Sequence, residues 1–173
     1  VPDYLEPDQD AVSMPYSFMF DQLMKGGGVG FSVVQDNIRQ IPSVDQVVNL
    51  TILVSKSSAS HDDSIALGAV DKEDWLASHS ITDGRYYKLP DTREGWILAN
   101  ANMIDLHFFV STLDHVTNLI LDVSDILPKR ATIHGFGGTA SGPLPLIELL
   151  CDINTRPNDP PGRMLSSVAR PAL

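Results

Sequence analysis

Hydrophobic and polar positions alternate clearly enough along the chain to place its main elements. Ser13 to Lys25 reads as a helix. Ser13 is a capping residue type, Pro15 is tolerated in a first turn, and Gly26 suits a left-handed stop. Met14, Phe18, Phe20, Leu23 and Met24 give it apolar surface, so the pattern predicts packing on more than one side. Past Gly26-Gly27-Gly28, the run Val29-Gly30-Phe31-Ser32-Val33-Val34 predicts a buried strand. Val48, Leu50, Ile52 and Val54 alternate with Asn49, Thr51 and Leu53, as in a half-buried strand. The small polar residues from Ser55 to Asp63 then read as a loop.

Asp91-Thr92-Arg93-Glu94 marks a further helix start, with Asp91 as the cap and Glu94 at the reciprocal capping-box position. The following stretch to Ser111 is apolar on two faces: Ile97, Ala101, Ile104 and Phe108 on one, Trp96, Ala99, Met103, Leu106 and Val110 on the other. A helix patterned this way is a buried one. Leu119-Ile120-Leu121-Asp122-Val123 predicts a second strand, and a glycine-rich loop from His134 to Gly142 leads into a helix from Pro143 to about Asn154. Strand, loop and helix in that order define an α/β element. Thr155 to Leu173 holds four prolines and three arginines and predicts a poorly ordered tail or an edge-hugging extension.

Composition narrows the function classes. A chain of 173 residues with 43% hydrophobic residues is long and apolar enough for one globular core. No apolar run of about 18 residues is present, so no membrane-spanning helix is expected. The net charge of −10 argues against a general nucleic-acid coat, and the opening residues lack the blocks of a signal peptide. A cytoplasmic location is the expectation. One cysteine, Cys151, excludes an internal disulfide and a cysteine-rich zinc module. Val1 in place of Met suggests a processed or excised piece.

Candidate chemistry is sparse. Gly26-Gly27-Gly28-Val29-Gly30 fails the dinucleotide fingerprint, because Phe31 stands where the third glycine is needed and a helix precedes it. The loop through Gly137, Gly138, Thr139 and Ser141 is better placed, ahead of a helix N-terminus that can receive an anion; a plain tight turn fits it equally. It lacks the Gly-Lys-Ser/Thr ending of a P-loop and the Gly-x-Ser-x-Gly of a nucleophile elbow. His61-Asp62-Asp63 reads as a solvated loop rather than a metal site, and His107 as a hydrogen-bonded core histidine. Cys151 reads as a buried inert thiol. No catalytic or metal-ligating residue is assigned.

Several stretches together carry a resemblance. Ser13, Met14, Pro15, Tyr16, Ser17, Phe18, Met19, Phe20, Asp21, Gln22, Leu23 and Met24, continuing through Lys25 to Val33, resemble the monomeric, adenosylcobalamin-dependent (class II) ribonucleoside-triphosphate reductases. So do Asn37-Ile38-Arg39-Gln40-Ile41-Pro42, Leu89-Pro90-Asp91-Thr92-Arg93-Glu94-Gly95-Trp96, and the loop from Ile133 to Pro143. The resemblance implies an α/β fold, part of a ten-stranded reductase-type barrel with part of the insertion that holds the effector site. Residues 1–154 would form this partial barrel and 155–173 a divergent tail. It implies a deoxynucleoside-triphosphate effector at Ser13–Met24, with Gly137, Gly138, Thr139 and Ser141 as candidates for a substrate or nucleotide loop.

The activity implied is reduction of ribonucleoside triphosphates, with adenosylcobalamin as cofactor and thioredoxin as reductant. That chemistry uses a radical cysteine, a redox pair and C-terminal cysteines. Cys151 matches none of these positions, so catalysis would need a complementary C-terminal portion. The cobalamin region would likewise lie beyond this stretch. The alternative is a non-catalytic deoxynucleotide-binding module or an interaction remnant.

Overall fold

The structure is a computed structural model that describes residues 12–32, 34–39, 41, 48–108, 118–133 and 138–158. At 37, 38 and 156–158 it describes the backbone alone. Its elements in chain order are α1 (Met14–Met24), α2 (Gln35–Ile38), β1 (Asn49–Val54), α3 (His61–Ala66), β2 (Val70–Asp71), α4 (Lys72–Leu76), a 3-10 turn (Ile81–Asp83), β3 (Arg85–Lys88), α5 (Arg93–Phe108), β4 (Asn118–Asp122) and α6 (Leu144–Asn158).

The four strands form one parallel sheet in the order β2-β1-β4-β3. In the register Ile52↔Leu121 and Tyr87↔Leu121, the even-numbered side chains of β1 share a face with Leu119, Leu121 and Tyr87. That face is the core. Ile52, Val54, Leu119 and Leu121 pack there against Ala99, Met103 and Leu106 of α5 and Leu146, Ile147 and Leu150 of α6. On the opposite face lie Leu53, Ile120 and Asp122, all buried as well. Helices α3 and α4 pack on β1. Burial of both faces is typical of parallel strands, and it makes β1 buried at its end rather than half-buried throughout.

The α/β reading therefore holds, and β1, β4, α1, α5 and α6 fall where the pattern puts them. Other expectations need correction. Residues 29–32 and 34 form no strand, and Phe31 is 75% exposed. A β-branched run becomes a strand only with a partner edge and a face to pack on. Part of the expected loop from Ser55 to Asp63 is the start of α3. Thr155 is helical, because α6 continues to Asn158; residues 159–173 lie outside the described residues.

Two caps also differ. Ser13 makes no side-chain cap on α1. At α5 it is Thr92 that caps, its Oγ1 accepting from the Gly95 amide at 3.0 Å. Asp91 instead accepts from the Trp96 indole at 3.2 Å and the Leu127 amide at 3.0 Å, while Glu94 pairs with Arg93.

Candidate functional site

Helix α1 presents its contact stripe every fourth residue: Ser13, Ser17 and Asp21. Ser13 and Ser17 are buried, whereas Phe18 is 58% exposed and Met14, Tyr16, Leu23 and Met24 are exposed too. Among the described residues, then, the helix lies against α5 with its polar stripe inward and Phe18, Leu23 and Met24 outward. The expectation of packing on several sides fails because nothing among the described residues covers Phe18, Leu23 and Met24. Pro15 is exposed, and Met19, Phe20, Asp21 and Gln22 are half-buried.

The seam between α1 and α5 is held by polar contacts. Asp105 of α5 takes the Ser13 amide at 2.9 Å on one carboxylate oxygen and the Ser13 hydroxyl at 2.6 Å on the other. Arg93, at the opposite end of α5, places Nε 3.0 Å from Asp21 Oδ1. The two helices therefore run antiparallel. Lys25 closes on Asp21 from the next turn at 2.5 Å, and with Arg93 it holds the Asp21 carboxyl below the usual carboxylate range. Ser13 and Asp105 are 92 positions apart, so no local sequence signal could have paired them.

The glycine loop sits on a different part of the molecule. Thr139 bridges antiparallel to Thr132, and the Ala140 amide donates to Ala131 at 2.7 Å. Gly138 holds φ +129° and Gly142 φ +78°, conformations that suit glycine. Thr139 and Ser141 are exposed, and the Ser141 hydroxyl donates to the Gly142 carbonyl at 3.3 Å. Gly137 lies outside the described residues. The polar contacts of α1 run to α5, whereas those of this loop run to 130–133, so the two groups of predicted nucleotide residues belong to separate elements.

A third polar group, missed by sequence reasoning, occupies the carboxyl ends of the parallel strands. Asp122 is fully buried and accepts from Lys72 Nζ at 2.6 Å, Tyr86 Oη at 2.7 Å, the Ser124 amide at 3.0 Å and the Ser124 hydroxyl. Burial alone would raise the Asp122 carboxyl, but Lys72, Ser124 and Tyr86 outweigh it and hold it below its ordinary value. The only available signal was a carboxylate ending the apolar run Leu119-Ile120-Leu121. Nearby, Ser55 and the Lys56 amide donate to Glu73, and Asp71 caps α4 through the Asp74 amide.

His61, expected in a solvated loop, opens α3 and bonds Asp62 at 3.1 Å and Asp71 at 3.2 Å. These carboxylates, Asp62 first, raise its pKa above the ordinary 6.5. A raised His pKa stabilises the fold fully below the unfolded value and loses that contribution as pH rises through the folded one. Thermal melts from pH 5.5 to 8.5 are therefore expected to show stability falling at the alkaline end. His61→Gln should flatten this dependence, and an unchanged slope would contradict it.

Cys151, expected to be buried, is exposed on α6. It lines a groove of about 170 Å³ with Leu50, Ile52, Leu67, Gly68 and Asn154. The partly buried setting and Asp152 raise the thiol pKa, so it is no activated thiolate. His107 is buried, as expected of a core histidine. Among the described residues no group of three or more His, Cys, Asp or Glu can hold a metal, and no helix is long and apolar enough to cross a membrane.

The described residues thus form a parallel α/β sheet flanked by helices, with α1 joined to α5 through a polar seam. Residues 48–156 match the family model described as "B12-dependent ribonucleotide reductase, insertion domain", a stretch that contains all four strands. The chain belongs to the B12-dependent ribonucleotide reductase family. It is 60% identical to the adenosylcobalamin-dependent ribonucleoside-triphosphate reductase of Levilactobacillus brevis, over 97% of this chain and 22% of the relative. It is 58% identical to the reductase of the same description from Lactobacillus acidophilus, over 97% of this chain and 23% of the relative. A crystal structure of B-12 dependent (class II) ribonucleotide reductase superposes with a TM-score of 0.80 at 56% identity, covering 91% of this chain and 22% of that one. The chain thus spans about a fifth of the length of the relatives it matches.

Proposed function

We propose that this chain serves as the effector-binding portion of an adenosylcobalamin-dependent ribonucleoside-triphosphate reductase. Its part is to bind a deoxynucleoside triphosphate at α1, Ser13–Met24, while a complementary portion reduces the ribonucleoside triphosphate with electrons from thioredoxin. The observation that carries this reading is 60% identity to such a reductase, sustained over 97% of the chain.

Adenosylcobalamin supplies the radical chemistry in the complete enzyme. Among the described residues, the groove beside Cys151, at about 170 Å³, does not fit it, being smaller than the ~300–1,000 Å³ of ordinary ligand pockets. Nor can the chain's one thiol, Cys151, serve as both a radical centre and a dithiol pair. What remains to the chain is binding and orientation. The first-turn amides of α1 other than that of Ser13, which Asp105 takes, favour a triphosphate there, and Gly137, Gly138, Thr139 and Ser141 offer a second nucleotide contact ahead of α6. The outward apolar side of α1 supports docking of the complementary portion, since exposed apolar patches mark interaction surfaces.

Mixing the chain with the separately purified remainder of the Levilactobacillus brevis reductase tests this. Deoxynucleotide is expected from the mixture with adenosylcobalamin and thioredoxin, and from neither piece alone. A mixture in which the two pieces associate but form no deoxynucleotide would sink the reading.

A further inference from the structure

We propose that Asp105 and Arg93 of α5 are positioning residues that hold α1 in the register its nucleotide contacts require; this rests on the effector reading of α1 above. The fully buried residues at the start of and along α1 are Ser13 and Ser17, with Asp21 one turn on, while Met19 and Phe20 are only half-buried, so polar side chains lead the seam with α5. Its two ends are fixed by charged partners. Asp105 captures the amide and the hydroxyl of Ser13 with separate oxygens, at 2.9 and 2.6 Å, which sets the rotation of the first turn. Arg93 meets Asp21 two turns later as an ion pair, its Nε 3.0 Å from Oδ1 but not aligned for a hydrogen bond, which draws the far end of α1 towards α5. Between them the Ser17 hydroxyl is buried with no hydrogen-bond partner among the described residues, so the middle of the seam adds no directional contact.

The two charge-assisted hydrogen bonds from Ser13 to Asp105 fix geometry in a way that apolar contact does not, and the Arg93–Asp21 ion pair adds attraction at the other end. Their placement suits the task. The other side of α5 lies in the core through Ala99, Met103 and Leu106, so both anchors stand on a rigid platform. Most apolar residues of α1, among them Phe18, Leu23 and Met24, are exposed and cannot substitute for them. Losing either anchor should leave the sheet intact and free α1 to rotate, which scatters any nucleotide contacts made by that helix.

The test uses the full chain with Asp105→Asn, Arg93→Met and the conservative Arg93→Lys. Backbone hydrogen–deuterium exchange reports the helix, and calorimetric titration with dATP, dCTP, dGTP and dTTP in turn reports binding. In D105N and R93M the amides of 17–24 are expected to exchange about tenfold faster, the size of one lost charge-assisted bond. The amides of β1 and β4 should be unchanged. The same two variants should bind the preferred nucleotide about tenfold more weakly, with R93K restoring most of the affinity. If wild type binds and neither variant alters exchange or affinity, the positioning role falls while the effector reading stands. Faster exchange with undiminished affinity overturns it as well. If wild type binds none of the four at millimolar nucleotide, the effector reading falls and the positioning role falls with it.

Discussion

Asp122→Ala is expected to destabilise the chain by about 3–5 kcal/mol, the usual loss when one partner of a buried ion pair is removed. The carboxylate is fully buried at the end of β4 and accepts from Lys72, Tyr86 and Ser124 together. Alanine would leave the Lys72 ammonium and the Tyr86 hydroxyl without their acceptor beneath α4. Urea unfolding followed by circular dichroism reads the loss directly. A midpoint within error of wild type would show that water replaces the carboxylate without cost. The double replacement Asp122→Leu with Lys72→Met removes both charges at once and should be less damaging than Asp122→Ala alone, because no stranded charge remains.

The same residue predicts an acid limb. Its folded pKa lies below the ordinary 3.8, so its stabilisation is complete above that value and is lost as pH falls through the folded pKa. Stability of the wild type should therefore decline below about pH 4, while Asp122→Asn starts lower and declines less. His61 works in the opposite sense, contributing at the acid side and losing its contribution on the alkaline side. Together they place the best stability between the two.

What could be read from the sequence follows from which forces are local. β1, β4, α5 and α6 announce themselves because each carries enough apolar residues at its own period to specify a face. The strand expected over 29–34 had the residue types, but its described residues, 29–32 and 34, join no strand, and partners are not written in a local window. α3 and α4 are too short to show a period, although Asp71 and Asp74 bear the spacing of a cap. At α5 two capping residue types stand side by side, and tertiary demand decides between them: Asp91 is taken by Trp96 and Leu127, which leaves Thr92 for the helix. Neither nucleotide-binding assignment could be derived from composition. α1 is marked as an effector element by the family resemblance alone, whereas the glycine loop already stands out by its place ahead of a helix N-terminus. The anchors that fix α1, Asp105 and Arg93, are visible only once the helices pack.

The motif from Leu89 to Trp96 shows how much one stretch can hold, and it supplies the second large effect. Gly95→Ala is expected to cost about 3 kcal/mol, the upper end of ordinary overpacking, because the clash is with backbone. Gly95 is buried in the first turn of α5. A Cβ there would meet the Pro90 carbonyl oxygen well inside van der Waals contact, with Pro90 Cγ at 2.9 Å and Cδ at 3.0 Å. Alanine is the better helix former by about 1 kcal/mol, so propensity alone predicts the opposite sign. The close approach is what lets the chain double back from β3 into α5. Leu89 enters the core just before that turn, Thr92 caps the helix, and Arg93 reaches Asp21 just after. Moving Pro90 away to admit a methyl group would shift all three. The prediction is thus a lowered urea midpoint together with faster amide exchange in α1, remote in sequence but joined through Arg93. A stabilised Gly95→Ala variant would mean that helix propensity outweighs the contact, and that the turn has room the structure does not give it.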